Sequence, residues 1–193
     1  MVYYVGDKQV TEEEYSTYIE NLSLKLVSPI VYENFDDAFD ALTNPEIASY
    51  NAIKKWSEDN RSYDYSSYYM IKTNEASQLY LFELWDSGIS VIYESDGYVT
   101  QQKFLPCAYL DSAILIDNNR IVICNRFGVG LEAEYTYEIC KFDNGIIENK
   151  DNFLSGTVIE KDEYEKYLEE GIVLSRYNDL SVEEAYENMI IWE

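Results

Sequence analysis

The chain has 193 residues, with 37 Asp and Glu against 14 Lys and Arg, no histidine, and a net charge of −23. Such a balance repels nucleic acid and anionic membranes and attracts a cationic protein surface. Without histidine, Ser-His-Asp and Cys-His nucleophiles, His-ligated zinc or iron and histidine general bases are all excluded.

Hydrophobic residues make up 47% of the chain, a globular composition. The length fits one domain over 1–193, with room for a helical amino-terminal subdomain over 1–60 ahead of a sheet and carboxyl-terminal helices over 61–193. No apolar run approaches bilayer thickness. The start, Met-Val-Tyr-Tyr-Val-Gly-Asp-Lys, has no basic region followed by an apolar stretch, so residence in the cytosol is expected.

Val2 to Val5, then Gly6-Asp7, then Gln9-Val10 reads as a small hairpin or strand. Thr11 with Glu14 forms a capping box, and Tyr15, Tyr18, Ile19, Leu22 and Leu26 then recur at helical spacing up to Pro29. A second helix is expected from Asn34 through Phe35, Ala38, Phe39 and Leu42. Asn44-Pro45 opens a third, with Ile47, Ile53 and Trp56 turned inward. The polar, tyrosine-dotted stretch from Ser57 to Ser67 reads as a loop leading into the sheet.

From Gln78 to Phe142 short hydrophobic runs alternate with turn signals, Asp86-Ser87-Gly88, Asp96-Gly97 and Asp117-Asn118-Asn119. Asp, Asn and Gly tolerate the positive φ angles of tight hairpins, so this is an antiparallel meander. In its last run Tyr135, Tyr137 and Ile139 share one face, expected to be packed, and Glu134, Thr136 and Glu138 share the other, expected to be wet. A last strand is expected from Phe153 to Ile159, and then a helix over Asp162 to Glu170 stopped by Gly171 in the C′ position. Ser181 and Glu184 form a further capping box, and Val182, Ala185, Tyr186, Met189 and Ile190 line one face of the helix that follows. The fold class is therefore α+β: an antiparallel meander sheet of about six to eight strands, with amino- and carboxyl-terminal helices packed on one face.

Cys107, Cys124 and Cys140 are widely spaced and read as buried reduced thiols, since a metal site would need Cys-x-x-Cys pairs or histidines. No cofactor or metal site is expected. Carboxylate-only catalysis stays open, because any two of the acids could converge in a cleft, but no spacing selects a pair.

The charge is unevenly placed. Residues 101–130 hold Asp111 and Asp117 against Lys103, Arg120 and Arg126, while residues 151–193 hold twelve acids against Lys161, Lys166 and Arg176. The candidate partner-binding residues are therefore the acids of the last two helices, Asp162, Glu165, Glu169, Glu170, Glu183, Glu184 and Glu187. Of these, Glu183, Glu184 and Glu187 turn away from the core with no basic partner expected. A second candidate is the aromatic loop carrying Tyr63, Tyr65, Tyr68 and Tyr69, since tyrosine suits binding faces. Lys54-Lys55 is the only adjacent basic pair, so the chain is not expected to bind DNA or RNA directly.

Size, acidity and lack of catalytic motifs give the chain a character that resembles phage-encoded antagonists of bacterial defence, the anti-CRISPR and anti-restriction proteins. The resemblance is one of type, and it implies a non-enzymatic inhibitor of a basic, nucleic-acid-binding effector. An immunity protein against a nuclease toxin and a carboxylate-dependent enzyme are the alternatives.

Overall fold

The computed structural model describes residues 3–5, 8–11, 25–30, 43–60, 66–73, 78–106, 109–117, 119–128, 132–150 and 153–192. The structure is α+β with antiparallel meanders, as expected, but the strands divide between two six-stranded sheets.

The first sheet contains β3 (Lys25–Pro29), β4 (Ser67–Thr73), β5 (Leu79–Trp85), β6 (Gly88–Ser95), β7 (Tyr98–Phe104) and β16 (Ile190–Trp192), in the order β16-β4-β5-β6-β7-β3. The second contains β8 (Tyr109–Asp117), β9 (Arg120–Phe127), β10 (Glu134–Asp143), β11 (Ile146–Ile147) and β15 (Ile172–Ser175), in the order β11-β10-β9-β8-β15, with β14 (Thr157–Ile159) also paired to β10. β1 (Tyr3–Val5) and β2 (Lys8–Val10) form the expected small hairpin. β12 (Asn149–Lys150) and β13 (Phe153–Leu154) form another. Three helices lie among the described residues: α1 (Pro45–Asp59), α2 (Lys161–Glu170) and α3 (Val182–Glu187).

The turn chemistry held at Asp96-Gly97, where both residues take positive φ, 54° and 79°, to close β6 on β7. The division into two sheets follows from what the strands bury. On one face of the first sheet Tyr69, Ile71, Tyr80, Phe82, Leu84, Ile89 and Val91 pack in one cluster with Leu110, Ala113, Leu115, Ile121, Ile123, Cys140 and Phe142 of the second. The opposite face of the first sheet carries Tyr68, Met70, Leu79, Leu81, Ile92 and Val99 under Ile53 and Trp56 of α1 and Val182 and Ala185 of α3. The opposite face of the second carries Ile114, Val122 and Cys124 under Tyr164 of α2. Strands apolar on both sides need cover on both sides. The result is four layers, α1 and α3, sheet, sheet, α2, rather than one sheet with every helix on a single face.

Several local expectations are corrected. Leu26 belongs to a strand and not to a helix ending at Pro29: Lys25–Pro29 pairs antiparallel with Tyr98–Gln102 at the sheet edge, where the missing N–H of Pro29 does no harm. The helix expected from Thr11 otherwise lies outside the described residues, as does the one expected from Asn34. The sheet thus takes in both sides of the boundary expected near residue 60, and Trp56 Nε1 donates to Ser28 Oγ at 3.1 Å to hold α1 against β3. Ile47, expected inward on α1, is 51% exposed. The last strand is interrupted at Gly156, giving β13 and β14. The final helix stops at Glu187, because Ile190–Trp192 forms a parallel ladder with Ile71–Thr73. Of its expected stripe, Val182 and Ala185 are buried and Tyr186 and Met189 pack beside them, while Ile190 turns into the inter-sheet core.

Gly171 does end α2, but in an extended conformation (φ −97°, ψ 176°), not the left-handed one. What excludes a side chain there is space: an added Cβ would lie 2.5 Å from Ile114 Cγ2 and 2.8 Å from the Leu115 carbonyl oxygen. Gly171→Ala is therefore expected to cost about 1–3 kcal/mol of stability through overpacking, read from denaturant unfolding. A loss below about 0.5 kcal/mol would show that β8 yields freely at this point.

Candidate partner-binding surfaces

Asp162, Glu165, Glu169 and Glu170 are all exposed on α2, with Glu160 and Glu163 beside them. Tyr164 anchors the helix by stacking on Tyr137 of β10, with ring centroids 4.1 Å apart. Lys161 and Lys166 form i,i+4 bridges to Glu165 at 3.3 Å and to Glu170 at 3.9 Å. Six carboxylates against two lysines remain over residues 160–170.

Glu183, Glu184 and Glu187 are also exposed, but α3 packs on the other sheet, so the seven acids fall on two opposite outer layers and do not form a single face. Two of the three are also engaged locally. Lys54 Nζ lies 3.1 Å from Glu183 Oε1 and 3.4 Å from Glu58 Oε1, which corrects the expectation that these acids have no basic partner. A hydrogen bond from its own backbone N–H, and then Lys54, hold the Glu183 carboxyl below its ordinary range. Glu184 completes the expected capping box, accepting from the Ser181 N–H at 2.9 Å while its own N–H donates to Ser181 Oγ at 3.2 Å.

The aromatic candidate changes character. Tyr68 and Tyr69 belong to β4 and are 4% and 6% exposed, so both are core residues. Tyr63 and Tyr65 lie outside the described residues. The Tyr68 hydroxyl donates to Glu83 Oε1 at 3.1 Å, as does Ser66 Oγ, while Gln101 Nε2 donates to Glu83 Oε2 at 3.3 Å and to Ser90 Oγ at 3.1 Å. Glu83 is 3% exposed and sits among these neutral donors. The Tyr69 hydroxyl instead crosses to the second sheet. It donates to the Ser175 carbonyl at 2.8 Å and accepts from the Ser175 N–H at 2.9 Å and from Asn178 Nδ2 at 2.8 Å.

The face alternation of β10 is half right. Tyr137 and Ile139 lie under α2, but Tyr135 is 45% exposed, beyond the end of that cover. Glu138 is partly buried, accepting from Asn125 Nδ2 at 3.2 Å and from the Gly156 N–H at 3.1 Å. Both described thiols are buried: desolvation pushes Cys124 up to about 11 and Cys140 up to about 12, so neither is a ready nucleophile.

Sequence reasoning passed over a row on the outer face of the second sheet, Tyr109 of β8, Arg126 of β9 and Tyr135 of β10, which stand opposite one another in register. The signal was present in the near-neutral charge of residues 101–130, but nothing linear marks Tyr109 and Tyr135 as neighbours of Arg126. Beside this row Arg176 stacks on Tyr177, 4.3 Å from the ring centroid, and the Tyr177 hydroxyl donates to Asp111 Oδ1 at 3.2 Å.

No helix among the described residues is long and apolar enough to cross a membrane. No protein-family model, curated protein or solved structure matches the chain.

Proposed function

We propose that the chain is a non-enzymatic acidic binding protein that blocks a basic, nucleic-acid-binding effector in the bacterial cytosol, in the manner of the phage antagonists of bacterial defence. The observation that carries this reading is the charge on α2. Residues 160–170 place four net negative charges over about 16 Å of helix axis, one per about 4 Å. One strand of B-DNA carries a phosphate every 3.4 Å or so, and the duplex one charge per about 1.7 Å.

α2 thus matches a single strand more nearly than a duplex. The whole surface does neither: 23 net charges over 11452 Å² is about one per 500 Å², against about one per 100 Å² for B-DNA. The contact is therefore local occlusion of a cationic groove by one helix, not global imitation of a duplex. The engagement of Lys54 by two carboxylates supports the accompanying reading that the chain does not bind nucleic acid itself.

A pull-down from bacterial lysate tests the proposal. Captured proteins are expected to be basic and nucleic-acid-binding, and to be released at about 0.5 M salt, where charges are screened beyond a few ångström. A captured set that is acidic or neutral, or that survives the salt wash unchanged, overturns it.

A further inference from the structure

We infer that Arg126, between Tyr109 and Tyr135, is the anchor that fixes the partner's register on the α2 surface, and that it takes a carboxylate from that otherwise basic partner. This rests on the reading of α2 as the partner-binding helix.

Arg126 is anomalous in this chain. Among the described residues its side chain makes no hydrogen bond or ion pair, although the chain holds 37 carboxylates, and its Nε is buried without an acceptor. The Nε of Arg176 is likewise buried without an acceptor, but the other described arginines each have a side-chain partner: Arg120 pairs with Asp117, and Arg176 donates through Nη2 to the Tyr177 hydroxyl at 2.7 Å. A buried donor left unpaired is costly, and such groups are few in folded proteins. The flanking rings are open to solvent, Tyr109 at 48% and Tyr135 at 45%. Arginine and tyrosine together are the residues that most often dominate binding energy at protein interfaces.

The row also adjoins the acidic helix. Tyr135 is two residues from Tyr137 on the same strand face, and Tyr137 is the ring on which Tyr164 of α2 stacks. A partner lying on α2 therefore reaches Arg126 without leaving the surface. A purely cationic partner would be repelled there. A basic groove with a carboxylate at its edge satisfies both, with α2 meeting the cations and the Arg126 Nη groups meeting the acid. Nucleic-acid-cleaving enzymes have this composition where carboxylates hold metal ions inside a basic cleft. Complementary charges of both signs set register and reject wrong partners.

Two synthetic peptides separate the possibilities, one lysine-rich with a central Asp-Asp pair and its Asn-Asn counterpart. Their dissociation constants are measured by titration calorimetry against the intact protein at low ionic strength. Net charge alone favours the Asn peptide. The parent protein is nevertheless expected to bind the Asp peptide at least as tightly, and Arg126→Gln to reverse the order by about threefold or more. Arg126→Lys keeps the charge but loses bidentate geometry and should fall between. Matching melting temperatures for parent and variants exclude unfolding, and they are expected because the Arg126 side chain makes no hydrogen bond or ion pair among the described residues. If both peptides bind and Arg126→Gln leaves their ratio unchanged, the assignment of Arg126 is wrong and the α2 reading stands. If neither binds, both are wrong.

Discussion

Replacing Tyr69 by phenylalanine is expected to lower the unfolding free energy by about 3 kcal/mol, although only one oxygen atom is removed. That oxygen donates to the Ser175 carbonyl and accepts from the Ser175 N–H and Asn178 Nδ2. The phenylalanine ring still fills its place in the inter-sheet core, so the packing term is unchanged. What changes is that the part-buried Ser175 N–H loses its partner and the Ser175 carbonyl keeps only the Asn178 N–H at 3.4 Å, at roughly 1–3 kcal/mol for each group left poorly satisfied. In a domain of this size, about 3 kcal/mol corresponds to a fall in melting temperature of roughly 6–12 °C. The same hydroxyl occupies outward-facing backbone groups at the end of the edge strand β15, which shields that edge from pairing with another chain. Chemical denaturation should therefore show a lower midpoint with an unchanged slope. A loss below about 1 kcal/mol would mean that water replaces the hydroxyl and that the cross-sheet tie is unimportant.

The meander was legible because hairpin chemistry is local. Asp96-Gly97 and Asp86-Ser87-Gly88 stand at hairpin turns, and β5 to β10 begin and end within a few residues of the runs read from sequence. The pairing of two sheets was not legible, because an apolar residue such as Ile114 or Leu115 looks the same whether a helix or a second sheet covers it. In the structure these two neighbours face different layers. Ile190 misled for a related reason: its spacing continues the helical stripe of Val182 and Ala185, but a parallel ladder with Ile71 outweighs the helix beyond Glu187. Local capping chemistry was readable at Ser181 and Glu184. The engagement of Glu183 by Lys54 was not, since it joins residues 129 positions apart through the packing of α1 beside α3. For the same reason the exposed acids of α2 were found from composition, whereas Arg126 and its flanking tyrosines needed the strand register.

Neutralising α2 without changing its shape should have the largest effect on binding. In the triple variant Asp162→Asn, Glu165→Gln, Glu169→Gln, three exposed charges are lost and Tyr164, which anchors the helix, is untouched. Each surface charge facing a cationic partner contributes roughly 0.5 kcal/mol at low salt, so affinity for a lysine decapeptide is expected to fall about tenfold. The matching variant on α3, Glu183→Gln, Glu184→Gln, Glu187→Gln, removes the same formal charge. Glu183 already serves Lys54 and Glu184 the helix cap, where glutamine substitutes adequately, so its affinity is expected to fall about threefold or less.

The comparison of these two triple variants with the parent, by calorimetric titration with the lysine decapeptide at low ionic strength, is the most direct measurement of whether one helix carries the partner contact. The proposed occlusion by α2 predicts a severalfold larger loss for the α2 variant than for the α3 variant, with the difference vanishing at about 0.5 M salt. Equal losses for the two variants would contradict it, since the charge would then act as a diffuse field with no partner-facing helix.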